Sequence, residues 1–386
     1  MSDAGKIWPS EMIVREDQGS GVKVTQLTNH KCHSHHLYFT NSGWWDNNQK
    51  LLFGSDRGNK TNLFSIDLKS GEITQLTDLG PSTDLEFNFL TTCINPTRDE
   101  AYFYFNGEIF SIDLNTYEMK ALYQIPKGYL KSMLNVTSDG KFLCMGLFED
   151  FSHKFPVDLN RGYIGFREIF HEHPNSKIMA IPTKGGDAEV MWEEDCWIGH
   201  VNTSPTNPDL LSFCHEGPWG LVDNRIWGFN LKTREAWKIR PRERKENPGH
   251  EYWFADGDRI GYHGGDGRRN FIGSIKPDNT DKIEVEFTSV TGHIHSNDEK
   301  MITGDGGQHV RLWRWNPEDM VYEGPHALAE HRCSMHVQKL HVHPRFCPDG
   351  KQVLYTSDIT GYGNVYLAEM PEPEDFEDLP FIFFNI

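Results

Sequence analysis

The sequence predicts an all-β fold: a seven-bladed β-propeller, with residues 1–386 forming a single domain. Three observations carry this expectation. Aromatic residues make up 12% of the chain, and it holds 35 Gly and 20 Pro, a composition suited to short strands joined by tight turns. Long stretches with apolar residues at helical spacing are hard to find. A polar turn followed by an apolar strand also recurs at intervals of roughly 40 to 65 residues, the spacing of four-stranded blades.

In chain order, the turns fall at residues 45–48, 95–98, 137–140, 204–207, 254–257, 295–298 and 347–350. The strands that follow begin at residues 50, 101, 142, 210, 260, 301 and 353. The first two copies continue into a third strand, at residues 62–68 and 108–114, and residues 73–77 supply a fourth. Residues 22–28 resemble the fourth strand of a blade that lacks its first three. The last copy ends after residues 364–368 without a fourth strand of its own. The N-terminal strand is therefore expected to close the last blade, which removes edges that an open sheet would expose. Residues 150–176 form an insert in the third blade that the repeat does not place. The acidic tail at residues 372–378 reads as surface-bound or loose.

The net charge of -18 argues against nucleic acid or an anionic membrane as a general partner. Seven cysteines, odd in number and without CxxC spacing, read as free thiols in a reducing compartment. The N-terminus has no apolar leader segment, and no apolar run reaches membrane-spanning length, so the expectation is a cytoplasmic protein. Oligomeric state is left open.

Gln338-x-x-His341-x-His343 carries the clearest chemistry. On an extended strand two histidines at i, i+2 share a face, and Gln338 adds an amide oxygen from just upstream. A further imidazole comes from His293 or His295, which occupy the matching place in the sixth blade. Imidazole suits several first-row metals, and an amide oxygen moves the preference toward harder, six-coordinate ions such as Mn²⁺. In a propeller the first strand of each blade runs near the axis, so residues at its exit gather at one mouth. His250, in Gly249-His250-Glu251, lies on such a strand in the fifth blade and is a candidate general base. In the fourth blade, Arg225 is suited to a substrate carboxylate through two parallel hydrogen bonds; its alternative is an ion pair with Asp223 or Glu216. Arg225, His215 and His200 are assigned to substrate binding. The cluster Cys32-His33-Ser34-His35-His36 is too generic for a role. No Gly-x-Ser-x-Gly elbow, P-loop, GxGxxG after a strand, or HExxH is present, which leaves a metal, a base and a cation as the chemistry.

These motifs occur in a fixed order. Phe213-Cys214-His215-Glu216-Gly217-Pro218 leads to Leu221-Val222-Asp223 and Arg225-x-Trp227. Gly249-His250-Glu251 follows, then His293-x-His295-Ser296-Asn297, and last Gln338-x-x-His341-x-His343-Pro344-Arg345-Phe346. Together they resemble the oligogalacturonate lyases, a pectate-lyase family built on a seven-bladed propeller. The resemblance covers most of the chain from Thr25 onward and excludes the first 20 residues and the insert. It implies a cytoplasmic enzyme that cleaves short, acidic oligogalacturonides by β-elimination. It also implies manganese ligands at Gln338, His341 and His343, a base at His250 and a scissile-site arginine at Arg225. The family's spacing between base and first ligand favours His295 over His293 as the fourth ligand. The stretch from His295 to Gln338 is shorter than the family leads one to expect, so a substrate-contacting loop is altered. A non-catalytic propeller scaffold and a lyase for another uronate are the competing readings.

Overall fold

The computed structural model describes residues 2–242, 245–287 and 289–382. Seven antiparallel sheets succeed one another along the chain, the blades of a seven-bladed β-propeller. In the second blade the strand order is Met119–Gln124, Glu108–Asp113, Glu100–Phe105, Cys93–Ile94, so the first strand in sequence forms one edge. The third, fourth, fifth and sixth blades repeat this sequential order, with Tyr129–Val136, Ile198–Thr203, Gly249–Trp253 and Ile294–His295 as their first strands.

The strands form where the repeat put them because apolar side chains oppose one another across neighbouring strands. In the first blade Leu51 pairs with Ile66 and Phe53 with Phe64, and the two phenylalanine rings stack at 5.6 Å. Most residues of Lys50–Ser55 are buried, as expected for a strand covered on both faces. The turns rest on side-chain acceptors: Asp139 accepts the Thr137 hydroxyl at 2.8 Å and the Lys141 N–H at 3.1 Å. Gly140, at φ +72°, completes that turn, where a Cβ would collide with Thr97 and Asn95.

Contacts divide the chain into two compact units. One comprises residues 1–81, 269–272 and 284–386; the other comprises 82–268 and 273–283. Within the first, the expected closure of the last blade is present. Lys23–Gln26 pairs with Asn364–Glu369, Val24 opposite Ala368 and Gln26 opposite Tyr366. Two pairings went unforeseen: Ile13–Glu16 adds a further strand outside Lys23–Gln26, and Ile7–Trp8 pairs with Ile73–Gln75. Segments this short carry too few residues for a period-2 signal.

Of the two alternatives for the tail, surface-bound or loose, the structure shows the first. Pro373–Asp378 forms a 3-10 turn that buries Phe376, whose ring lies 4.7 Å from His326 and beneath the guanidinium of Arg314. Its acidic side chains hid an apolar anchor. The reading of residues 338–343 as strand is corrected. Gln338–Leu340 is a 3-10 turn, His341 that follows is extended, and the ladder begins only at Arg345–Phe346.

In the second unit the insert folds onto its own apolar cluster. It carries the only α-helix among the described residues, Phe166–Glu172. Phe151 and Ile169 of the insert are buried with Phe148 and Trp197. Phe170 packs so closely on Gly217 that a Cβ there would overlap its ring.

Because Phe376 is buried against His326 and Arg314, Phe376→Ala should lower unfolding free energy by about 3–5 kcal/mol, read from urea midpoints. An unchanged midpoint would return the tail to the status of a loose segment.

Candidate metal centre and catalytic cluster

In the first unit, ligand atoms of His293, His341 and His343 all lie within 4.8 Å of one another. The rings of His293 and His343 meet edge to face at 4.3 Å, and His341 lies 5.7 Å from His293 and 5.5 Å from His343. Two of the three residues are held in place by contacts from neighbouring side chains. Nδ1 of His293 bonds Asp305 Oδ2 at 2.7 Å, while Oδ1 of the same carboxylate accepts the N–H groups of Gly292 and His293 at 2.9 and 2.8 Å. Burial alone would raise the pKa of Asp305, but His293 and these donors outweigh it and hold the carboxyl below its usual range. Residue 343 is fixed through its backbone, since its carbonyl accepts from Nε2 of His36 at 2.8 Å. The Tyr38 ring packs 4.7 Å from the His343 imidazole.

The donor set fits a first-row divalent cation. Burial pushes the pKa of His341 down to about 4, so its imidazole is neutral at pH 7, the form that ligates a metal. Its Nδ1 is buried without a hydrogen-bond partner among the described residues. The Asp305–His293 bond is the carboxylate-to-histidine contact that orients a ligating ring in metal sites.

Of the two histidines left open in the sixth blade, the geometry brings His293 to His341 and His343, and not the favoured His295. Two residues advance a strand by roughly 6.5 Å, so only one of the pair can stand level with the cluster. Fully buried, His295 instead takes the N–H of Phe346 on Nδ1 at 3.3 Å. Gln338 lies one turn before His341, and its backbone carbonyl accepts the His341 N–H at 3.1 Å.

The second unit holds a different cluster around Arg225, which is 3% exposed. Its Nη1 donates to Glu216 Oε1 at 2.8 Å and its Nε faces Glu251 Oε2 at 3.5 Å. His200 Nε2 reaches Glu216 Oε2 at 3.2 Å. Burial of Glu216 would raise its pKa, yet Arg225 and His200 overcome that and keep it well below the usual carboxylate range. His200, Cys214 and Glu216 also lie within ligand distance of one another, but a guanidinium on the same carboxylate opposes a metal cation there. The ion-pair alternative raised for Arg225 is thus present with Glu216. The Glu216 contact is its side-chain hydrogen bond; Nε and both Glu251 oxygens are buried without a hydrogen-bond partner among the described residues.

His215 does not join a binding surface. Its Nδ1 meets Asp223 at 2.7 Å and its Nε2 meets Glu194 at 3.0 Å, which leaves no ring nitrogen for a sugar. Burial would lower its pKa, but hydrogen bonds to Cys196 and Glu194 push it up to about 10. The ring is a structural imidazolium stacked 4.5 Å from Trp227.

His250 sits at a β-bulge, where the register of Gly249–Trp253 shifts between Gly249 and Tyr252. Its φ is +50°, a strained conformation for a non-glycine residue that often accompanies functional positions. His200 repeats the arrangement, with φ +46° at the shift between Gly199 and Asn202. Nδ1 of His250 bonds Nε2 of His263 at 2.9 Å.

Sequence reading missed Asp305 and His263. His263 lies on the second strand of its blade, across from Gly249, and Asp305 directly follows the second strand of its blade, just beyond the Ile294–Gly304 pair. Each also precedes two glycines, in His263-Gly264-Gly265 and Asp305-Gly306-Gly307. That polar-residue-before-Gly-Gly pattern was the available signal.

Imidazoles at metal-ligand spacing, set just before the first strands of the sixth and seventh blades, define a propeller with metal-site chemistry. The chain belongs to the oligogalacturonate lyase family, whose model it matches over residues 3–374. An oligogalacturonide lyase of Pectobacterium atrosepticum is 29% identical over 394 residues, covering 96% of this chain and 99% of its own. An oligogalacturonate lyase of Dickeya dadantii is 29% identical over 381 residues, covering 92% of this chain and 95% of its own. A solved structure of an oligogalacturonate lyase in complex with manganese superposes with a TM-score of 0.84 at 28% identity, covering 96% of this chain and 99% of that one. Among the described residues no helix is long and apolar enough to cross a membrane.

His293→Ala should abolish tight binding of a divalent cation, and His295→Ala should retain it, as measured by titration calorimetry. The reverse pattern would restore His295 to the ligand set. A second expectation concerns pH. Burial pushes His35 to about 4, His36 to about 3, and His331 and His341 to about 4, below the unfolded value of ~6.5. Unfolding therefore takes up protons. Stability present above pH ~6.5 should fall as pH drops toward 4, by at most ~1.4 kcal/mol per unit for each ring. Urea midpoints of metal-free protein at neutral and acid pH check this, and a flat profile would contradict it.

Proposed function

We propose that this chain is a manganese-dependent lyase that cleaves short oligogalacturonides by β-elimination, with a 4,5-unsaturated uronate as product. The reading is carried by the cluster of His293, His341 and His343, in a family whose solved relative at 28% identity holds manganese. These three imidazoles, with Gln338 beside them in sequence, would hold the ion. When bound, Mn²⁺ supplies Lewis-acid stabilisation of the charge that develops on the uronate carboxylate, an effect of several kcal/mol.

The chain's own residues do the rest. His250 accepts the C5 proton. The electron pair left on C5 forms the C4=C5 bond, and O4 departs with the other half of the glycosidic linkage. Such general-base assistance contributes roughly 10² to 10⁴ in rate. Glu216 holds Arg225 at Nη1, and Glu251 faces Nε at 3.5 Å; Nη2 would then be the donor to a uronate carboxylate or the leaving O4. His200, bonded to the same Glu216, steadies that network at the edge of the substrate. The free thiols suit a reducing, cytoplasmic setting.

Digalacturonate incubated with the Mn²⁺-loaded protein should yield ultraviolet-absorbing product. His250→Ala should lower kcat on the order of 10²- to 10⁴-fold with manganese content unchanged. Metal-loaded protein that binds digalacturonate without forming product would favour the scaffold reading.

A further inference from the structure

We propose that His263 is the positioning residue for the base: it selects the tautomer of His250 in which Nε2 accepts the C5 proton. The inference deepens the proposed function and rests on the reading of His250 as base.

A neutral imidazole carries one proton, on Nδ1 or on Nε2, and only the unprotonated nitrogen can act as base. Nδ1 of His250 lies 2.9 Å from Nε2 of His263, so one nitrogen of that pair donates to the other. When His250 donates from Nδ1, its Nε2 is the base and His263 carries its own proton on Nδ1. When C5 delivers its proton, His250 becomes an imidazolium, and the Nδ1–H to Nε2 bond becomes charge-assisted and roughly twice as strong. The stabilisation therefore grows as the proton moves, which is when it accelerates the step.

The surroundings hold this geometry. The two rings lie 20° from parallel with centroids 5.2 Å apart. Trp219 sets its edge against both, 4.9 Å from His250 and 5.9 Å from His263. The Trp219 indole also rests on Gly249, where a Cβ would come within 2.7 Å of the ring. Gly249 is the register partner of His263, so backbone pairing puts the second ring level with the bulge that aims the first.

The identity of the partner also matters. A histidine base is more often oriented by a carboxylate, and Glu251 is the adjacent residue, yet Glu251 is turned toward Arg225. A carboxylate on Nδ1 favours a resident imidazolium, which cannot accept a proton. A neutral imidazole can accept from Nδ1 without that bias.

The test uses the full-length, Mn²⁺-loaded protein and digalacturonate. His263→Phe keeps a stacking ring and removes both nitrogens; kcat should fall ~10- to 100-fold, the range typical of a lost orienting partner, with KM and manganese content unchanged. His263→Gln, whose amide offers an acceptor near the former Nε2, should recover most of the loss. His250→Ala combined with His263→Phe should be no slower than His250→Ala alone, because His263 acts only through His250. Wild-type kcat in His263→Phe, or equal impairment of the Phe and Gln variants, would overturn the role of His263. Full activity in His250→Ala would instead remove the base itself. If His263→Phe does not fold, His263→Met serves in the same comparison.

Discussion

The buried carboxylate of Asp305 is the constraint on which the metal-binding half of the chemistry depends. One oxygen holds Nδ1 of His293; the other gathers two successive backbone N–H groups from the strand that carries that histidine. A buried carboxylate without such donors would be costly, and a buried imidazole without this acceptor could turn. Together they fix the ring plane and the tautomer before any ion arrives. Removing one partner would leave an uncompensated buried charge or donor, which is why such pairs act as units.

The second unit uses a comparable device with different chemistry. Arg225 is hydrogen-bonded to Glu216, faces Glu251 at 3.5 Å and lies against the Trp219 ring at 5.1 Å, so its charge is oriented rather than swinging on a flexible stem. The histidines on the first strands of the fourth and fifth blades both sit at bulges with positive φ. A regular strand alternates its side chains, and one inserted residue breaks that alternation and re-aims one of them. Local backbone strain of ~1–3 kcal/mol per residue is tolerated there because the neighbouring strands pair on both sides of the bulge.

The fold was legible because its signal repeats. Seven turns followed by seven apolar strands outweigh the ambiguity of any one copy, and the spare strand at residues 22–28 announced its own partner. Single-copy features were harder to read. The insert has no counterpart in other blades, and its helix packs through aromatic residues spread from Phe151 to Phe170. Phe376 was masked by the acidic residues around it. His341 and His343 were found because they share one short motif, whereas the choice between His293 and His295 depends on a shift of one residue pair along a strand, which spacing cannot resolve. Arg225 was found but its ion pair with Glu216 stayed an open alternative, since three separate segments meet there. His263 lies on a second strand and Asp305 directly after one, and only the register brings them opposite the residues they serve.

Blade closure by a strand from the other end of the chain has a consequence for synthesis. Val24 and Ala368 are direct partners, yet six other blades lie between them in sequence. At translation rates of about 5–20 residues per second, Lys23–Gln26 emerges tens of seconds before the strand it must meet. During that interval it can pair with Ile13–Glu16 on one edge, while its other edge keeps unmet backbone groups open to chaperones and to neighbouring copies on the same message. Completion of the ring therefore waits until Asn364–Glu369 has been made.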